Sequence, residues 1–141
     1  MAKVRFIQQS QGAIEKMKIT LKDKVDDRLI RFESDIGGGV AVWEGDPFSP
    51  NTSYNVELEI DDLFEIGRNI FLEKKCINGI DFINGELFFK AKVISYEEDG
   101  VLVLSLEKDI IFIEASGANE IDGYVSFFTK PDKVSLYPIE L

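Results

Sequence analysis

The chain has 141 residues, of which 26 are Asp or Glu and 16 are Lys or Arg, and it contains no histidine. The absence of histidine excludes Ser-His-Asp and Cys-His nucleophilic systems and every histidine-ligated metal site. The single cysteine, Cys76, cannot form an internal disulfide, and no apolar stretch has the length of a signal peptide core or a membrane-spanning helix. We therefore expect one cytoplasmic domain over residues 1–141, with no membrane contact.

The charge is unevenly distributed along the chain. Residues 1–43 hold eight Lys and Arg against six Asp and Glu, whereas residues 44–141 hold eight against twenty. Solubility alone accounts for many acidic proteins, but this charge also favours fast encounter with a basic partner and disfavours nucleic acid.

The first half of the chain shows the two-residue alternation that is typical of half-buried strands. It predicts strands over residues 3–7, 15–25, 28–33, 40–44 and 54–60. Three glycines, residues 37–39, predict a hairpin joint or bulge that accepts positive φ. Two prolines in residues 45–53 predict a loop or a crossing between two sheets, because proline cannot donate to a sheet ladder.

Residues 61–76 are the one helix candidate. Asp61 or Asp62 could cap it, and Leu63, Ile66 and Ile70 have helical spacing, but Gly67 interrupts the pattern. We therefore expect at most one short helix near residues 61–75.

The remainder of the chain is typical of β-structure punctuated by turns. The dipeptides Asn78-Gly79, Asn84-Gly85 and Asp99-Gly100 favour tight hairpin turns. Further strands are predicted over residues 87–96, 101–106, 110–115, 124–129 and 134–139. Residues 101–104 are all apolar, which predicts a central strand covered on both faces. About ten antiparallel strands in one domain predict an all-β fold, either a partly open barrel or a two-layer sandwich.

Two acidic segments are candidate partner-binding sites. One contains Asp61, Asp62 and Glu65, and the other contains Glu97, Glu98 and Asp99. A carboxylate pair for glycoside hydrolysis could be chosen by chance from so many acids, and acidic residues usually lie in solvated turns. The pattern therefore indicates no catalytic site.

Three aromatic residues, Trp43, Phe48 and Tyr54, flank the proline-containing loop. Aromatic residues on loops are frequent anchors of protein interfaces. A single tryptophan at a strand end also commonly fills the core beneath a loop, so both interpretations stay open. Cys76 precedes Ile77, which favours a buried thiol.

Four lysines alternate with apolar residues in the second predicted strand: Lys16, Lys18, Lys22 and Lys24. With nearby aromatic rings they could bind single-stranded nucleic acid, as OB-type barrels do. Lysines also protect edge strands against pairing with other chains. The negative net charge favours the protective role.

These observations predict a non-enzymatic, acidic protein-binding domain, of which an immunity or inhibitor protein that blocks a basic nuclease toxin is one form. An OB-like nucleic-acid-binding domain and a small-ligand β-barrel are the alternatives. The sequence contains no cofactor-binding or metal-ligand motif, so we expect neither group, and the expected partner is a basic protein.

Overall fold

The computed structural model describes residues 16–119 and 121–139, and these form an almost entirely β-structure. The strands are β1 (Met17–Lys24), β2 (Leu29–Ser34), β3 (Gly37–Trp43), β4 (Thr52–Ile60), β5 (Leu63–Glu65), β6 (Ile70–Glu73), β7 (Gly79–Ile83), β8 (Glu86–Tyr96), β9 (Val101–Leu106), β10 (Asp109–Ser116), β11 (Tyr124–Thr129) and β12 (Val134–Ile139). A short 3-10 helix over Pro131–Lys133 precedes β12. The predicted all-β class is confirmed, and the predicted strand at residues 3–7 lies outside the described residues.

Five strands close into a barrel. β1, β2 and β3 follow one another as antiparallel neighbours, and β4 returns beside β1, which gives the Greek-key order β4-β1-β2-β3. β12 completes the ring because it pairs antiparallel with β4 and parallel with β3. The architecture is thus a barrel and not a sandwich, and it shares the five-stranded Greek-key form with OB-type barrels.

The residues between β4 and β12 form a second group of strands. β8, β9 and β10 make an antiparallel meander, β5 lies parallel to β10, β11 pairs with β8, and β6 pairs with β11. A tight turn with a bridge between Ile66 and Ile70 joins β5 to β6, so this run of strands also returns on itself. The amide of Asp61 donates to the carbonyl of Lys133 at 2.8 Å. We call this second group (β5, β6 and β8 to β11), which returns on itself through that bridge, the second barrel; it begins and ends at one point on the first.

Residues 61–75, where at most one short helix was expected, contain no helix. This segment contains β5, β6 and a turn in which Gly67 has a φ of 93°. Phe64 and Ile70 are buried while Leu63 is 63% exposed, so the apolar residues follow strand alternation and not one helical face. Asp62 accepts the amide proton of Leu63 at 2.8 Å, but it does so at the start of a strand.

The three consecutive glycines belong to β3 and are not a joint between strands. Only Gly37 has a positive φ, at 127°. A Cβ atom there would lie 1.8 Å from the carbonyl oxygen of Ile80 in β7, and one on Gly39 would lie 2.2 Å from Leu87 Cδ2 in β8. These glycines let the second barrel pack directly against the first, which is a known use of glycine within a strand.

Other predictions need correction in detail. Twelve strands are described in place of about ten, and the pairs β3–β12, β3–β7 and β5–β10 are parallel. Asn84-Gly85 and Asp99-Gly100 form the predicted hairpin turns, but Asn78-Gly79 leads into β7 without forming a hairpin. β9 is central in its sheet, yet its outward residues Val101 and Val103 are only half-buried. Cys76 is exposed and not buried.

The core runs through both barrels. Buried aliphatic residues of β1, β2 and β4 fill the first barrel, and three phenylalanines pack at the centre of the second. Phe127 stacks on Phe89 at 5.1 Å between ring centroids and meets Phe64 edge-on at 5.3 Å. No helix among residues 16–119 and 121–139 is long and apolar enough to cross a membrane.

Candidate functional site

The structure brings the two predicted acidic segments to the same end of β10. The amide of Ala115 in β10 donates to the carbonyl of Gly100, and on the other side Ala115 pairs with Phe64 of β5. Since adjacent strands lie about 4.8 Å apart, the backbones of these two acidic segments are roughly 10 Å apart here. Segments separated by more than thirty positions in the sequence thus flank one strand.

The six predicted carboxylates differ in burial and in their hydrogen-bond partners. Asp62 is half-buried and accepts a hydrogen bond of 2.6 Å from the buried Thr129, so it fixes the start of β5. Glu65 pairs with Arg68 at 3.4 Å. Within the second segment, Asp99 accepts the amide proton of Val101 and Glu97 accepts the hydroxyl proton of Ser95. Asp62 is therefore a structural residue, while the other five carboxylates are exposed.

Glu114 is a carboxylate that the sequence analysis did not identify. It stands on the outward face of β10, where it pairs with Val101 on one side and Leu63 on the other. Because Ile111 and Ile113 alternate with it along β10, the sequence pattern could have predicted that Glu114 faces outward. We call the exposed or half-buried set Asp61, Glu65, Glu97, Glu98, Asp99 and Glu114 the acidic edge.

The predicted aromatic anchors lie together, but on the first barrel. Trp43, at the end of β3, is 4.8 Å from Tyr54 and 6.4 Å from Phe48 between ring centroids. Its indole Nε1 donates to the carbonyl of Asp46 at 2.8 Å, and all three rings are half-buried against the core. A Cβ atom on Gly45 would lie 2.6 Å from the indole, so the loop is folded tightly over it. The tryptophan thus fills the barrel end beneath its loop.

A groove of about 520 Å³ lies beside these rings, between the β1–β2 and β3–β4 connections. The residues that line it combine aromatic, proline and charged side chains: Asp23, Lys24, Asp27, Arg28, Ile30, Trp43, Gly45, Asp46, Pro47, Phe48 and Pro50. Asp26 shapes the β1–β2 connection by accepting the amide protons of Arg28 and Leu29 at 2.9 Å. Those two hydrogen bonds hold the pKa of Asp26 below its ordinary value. Residues 44–51 connect two strands of the same barrel.

The four predicted lysines do not form one basic stripe. Lys22 hydrogen-bonds Asn51 at 2.8 Å and pairs with Glu33 at 3.8 Å. Lys18 and Lys24 are exposed, whereas Lys16 is half-buried and directed at two carboxylates. The protective interpretation of these lysines is also wrong, because β1 pairs with β2 and β4 and is not an edge strand.

Lys16 meets Glu57 of β4 at 3.5 Å and Asp109 of β10 at 3.7 Å, where the two barrels touch. Asp109 is 1% exposed, and neither of its carboxylate oxygens has a hydrogen bond within the usual geometric limits. Burial raises the pKa of Asp109 to about 6, and the nearby Lys16 opposes that rise. No sequence pattern indicates this cluster, because Asp109 follows a hairpin turn, where solvated acids are common.

The described residues contain no group of three or more Cys, Asp and Glu side chains placed to hold a metal ion. The carboxylates of the acidic edge can attract cations and accept hydrogen bonds from them. Comparisons of the chain with protein-family models, with curated proteins and with solved structures found no match.

Proposed function

We propose that this chain is a non-enzymatic protein-binding domain whose acidic edge engages a basic partner. The observation that carries the proposal is the convergence of two distant acidic segments on the end of β10. Carboxylates grouped on one side of a molecule attract a cationic surface and orient its approach. Arg68 lies among these carboxylates and pairs with Glu65 at 3.4 Å.

An immunity or inhibitor protein is the form of this function that the charge favours. Carboxylates on such a protein stand in for the phosphates of nucleic acid and occupy the basic cleft of a nuclease toxin in the cytoplasm. The acids raise the rate of encounter, while apolar contacts set the lifetime of the complex.

Capture of proteins from the native host by two matched variants tests the proposal. The acidic-edge variant carries E97K, E98K and E114K, and leaves the turn residue Asp99 intact. The first-barrel variant carries D27K, D35K and D46K, which changes the net charge by the same amount at exposed positions of the other barrel. Both are first checked for native folding by circular dichroism.

We expect the wild type and the first-barrel variant to retain a protein of high isoelectric point that the acidic-edge variant does not retain. If both variants retain it equally, or if the wild type retains no basic protein, the proposed function is wrong. Inhibition of a captured nuclease by the wild type would identify the inhibitor form specifically.

A second candidate function is binding of single-stranded nucleic acid in the groove. It is favoured by the Greek-key barrel form and by Lys24 and Arg28 lying in the groove with Trp43 and Phe48. Fluorescence anisotropy of a labelled single-stranded oligonucleotide at low salt tests it. Binding that K24E and R28E together abolish would support this function, and no binding at low salt would exclude it.

A further inference from the structure

The outward face of β5, β9 and β10 is rich in apolar side chains, although it also carries Glu65, Ser105, Glu114 and Ser116. The inward residues of β9 and β10 are buried in the second barrel, as alternation requires. The outward positions carry Val101 and Val103 in β9 and Phe112 in β10, together with the 63% exposed Leu63 in β5. A sheet with one solvated face ordinarily places polar residues at such positions.

Strand register makes these side chains neighbours. Val103 pairs with Phe112, and Val101 and Leu63 lie on either side of Glu114. Directly opposed residues on one face of a sheet have Cβ atoms about 5 Å apart. A bulge in β8 between Val93 and Ser95 adds Ile94, which is 51% exposed, beside Val103.

None of these outward side chains belongs to the half-buried residues that pack against the core. In the part of the chain that the structure describes, the main contacts of β9 and β5 are with their own sheet neighbours. Contiguous exposed apolar surface on a folded protein marks an interaction site more often than isolated apolar residues do.

The surroundings of this face define its partner. Glu114 lies within it, and Glu65, Glu97, Glu98 and Asp99 stand at the end where β5 and β9 flank β10. An apolar centre with a charged margin is the common anatomy of a protein interface. A cationic surface with apolar side chains at its middle is complementary to both features.

We propose that this face is the docking surface for a protein segment that combines apolar side chains with lysine or arginine. The inference rests on the proposed function and names the surface that performs it. Leu63, Val103 and Phe112 bury apolar area against the partner, and the acidic edge binds its cations. The aromatic cluster around Trp43 takes no part, because it belongs to the other barrel.

An NMR titration of the isotope-labelled full chain tests this surface. One ligand is a peptide of alternating leucine and lysine, and the control ligand is an oligolysine with the same number of charges. We expect the amphipathic peptide to shift amide resonances of β5, β9 and β10, and to bind at least about tenfold more tightly than the oligolysine.

Two matched substitutions test whether peptide binding depends on this face or on any outward position of the second barrel. F112K should weaken binding of the amphipathic peptide at least about tenfold. F88K makes the same change at a half-buried, outward position of β8 and should leave binding within about twofold. Thermal unfolding of both variants shows whether each is folded at the titration temperature.

The inference is overturned if the amphipathic peptide shows no saturable binding, if it shifts resonances elsewhere, or if F112K and F88K behave alike. Equal affinity for both peptides at the acidic edge also overturns it, because charge alone would then suffice. The proposed function would survive that last result, since capture of a basic host protein is an independent measurement.

Discussion

At the scale of single residues, Asp109 shows how the environment of a carboxylate departs from its local sequence. Its neighbours in the chain, Lys108 and the turn before it, are typical of a solvated acid. The approach of β4 to the start of β10 is a long-range contact, and it removes the carboxylate from water. Alternation along β10 places the residue inward, but it cannot show which strand covers it.

The free energy of unfolding should depend on pH through Asp109. The folded pKa of about 6 exceeds the unfolded value of 3.8, so the folded chain binds this proton more tightly. Stability from this group is therefore highest below about pH 4, falls as pH rises through about 6, and stays low above that. D109N removes a buried negative charge and should raise the free energy of unfolding at neutral pH by about 1–3 kcal/mol. The gain lies at the lower end, about 1 kcal/mol, if the lost attraction to Lys16 offsets much of it.

Urea unfolding of wild type and D109N across this pH range measures the effect. E33Q, a change at an exposed carboxylate, serves as the control and should leave the pH dependence as in the wild type. The raised pKa of Asp109 is contradicted if D109N is less stable than the wild type at neutral pH and its free energy of unfolding depends on pH as in the wild type.

At the scale of elements, local turn chemistry was predictable and strand pairing was not. Asn84-Gly85 forms its hairpin because both residues readily adopt positive φ, at 52° and 79°. Residues 61–76 have weak helical spacing, yet they become β5 and β6 because β10 and β11, far along the chain, offer partners. The acidic candidates were found in sequence, but their convergence depends on that pairing.

Asn69 should be the residue that holds β5 in place. It is 6% exposed; its side chain accepts the amide proton of Glu65 at 2.9 Å and donates to the carbonyl of Leu63 at 2.9 Å. N69A removes both hydrogen bonds, although the carbonyl of Leu63 keeps a hydrogen bond of 3.0 Å from the guanidinium of Arg68, and it should lower the free energy of unfolding by about 1–3 kcal/mol. Chemical denaturation measures this loss, and N119A at an exposed turn should change stability by less than about 0.5 kcal/mol. Equal losses for the two variants would contradict this role.

Gly37 should be required for contact between the barrels. G37A combines an unfavourable φ with a clash against the backbone of Ile80 in β7, and should cost more than about 3 kcal/mol or prevent folding. G85A also has a positive φ, but its Cβ atom would meet nothing within 4 Å, so it should cost about 1 kcal/mol. Thermal unfolding compares the two, and a similar loss for both would show that packing at Gly37 is unimportant.

At the scale of the whole molecule, the uneven charge of the sequence corresponds only in part to the two barrels. In the first barrel, β1 to β3 come from the nearly balanced part of the chain, but β4 carries Glu57 and Glu59; the second barrel contains the two acidic segments. Closure by β12 could not be read from sequence, because it joins strands from opposite ends of the described chain. Trp43 lies on the first barrel, whereas Glu114 of the acidic edge shares the outward face of β10 with Phe112, beside Val103 of β9.

The dissociation constant of the captured basic partner tests binding at the acidic edge most directly. It is measured for the wild type, the acidic-edge variant and the first-barrel variant, at low and at physiological salt. We expect the acidic-edge variant to bind at least about 100-fold more weakly at low salt, with a smaller difference at higher salt because ions screen exposed charges. The first-barrel variant should stay within about threefold of the wild type. Equal weakening of both variants would show that net charge, and not the acidic edge, governs binding, and would contradict the account.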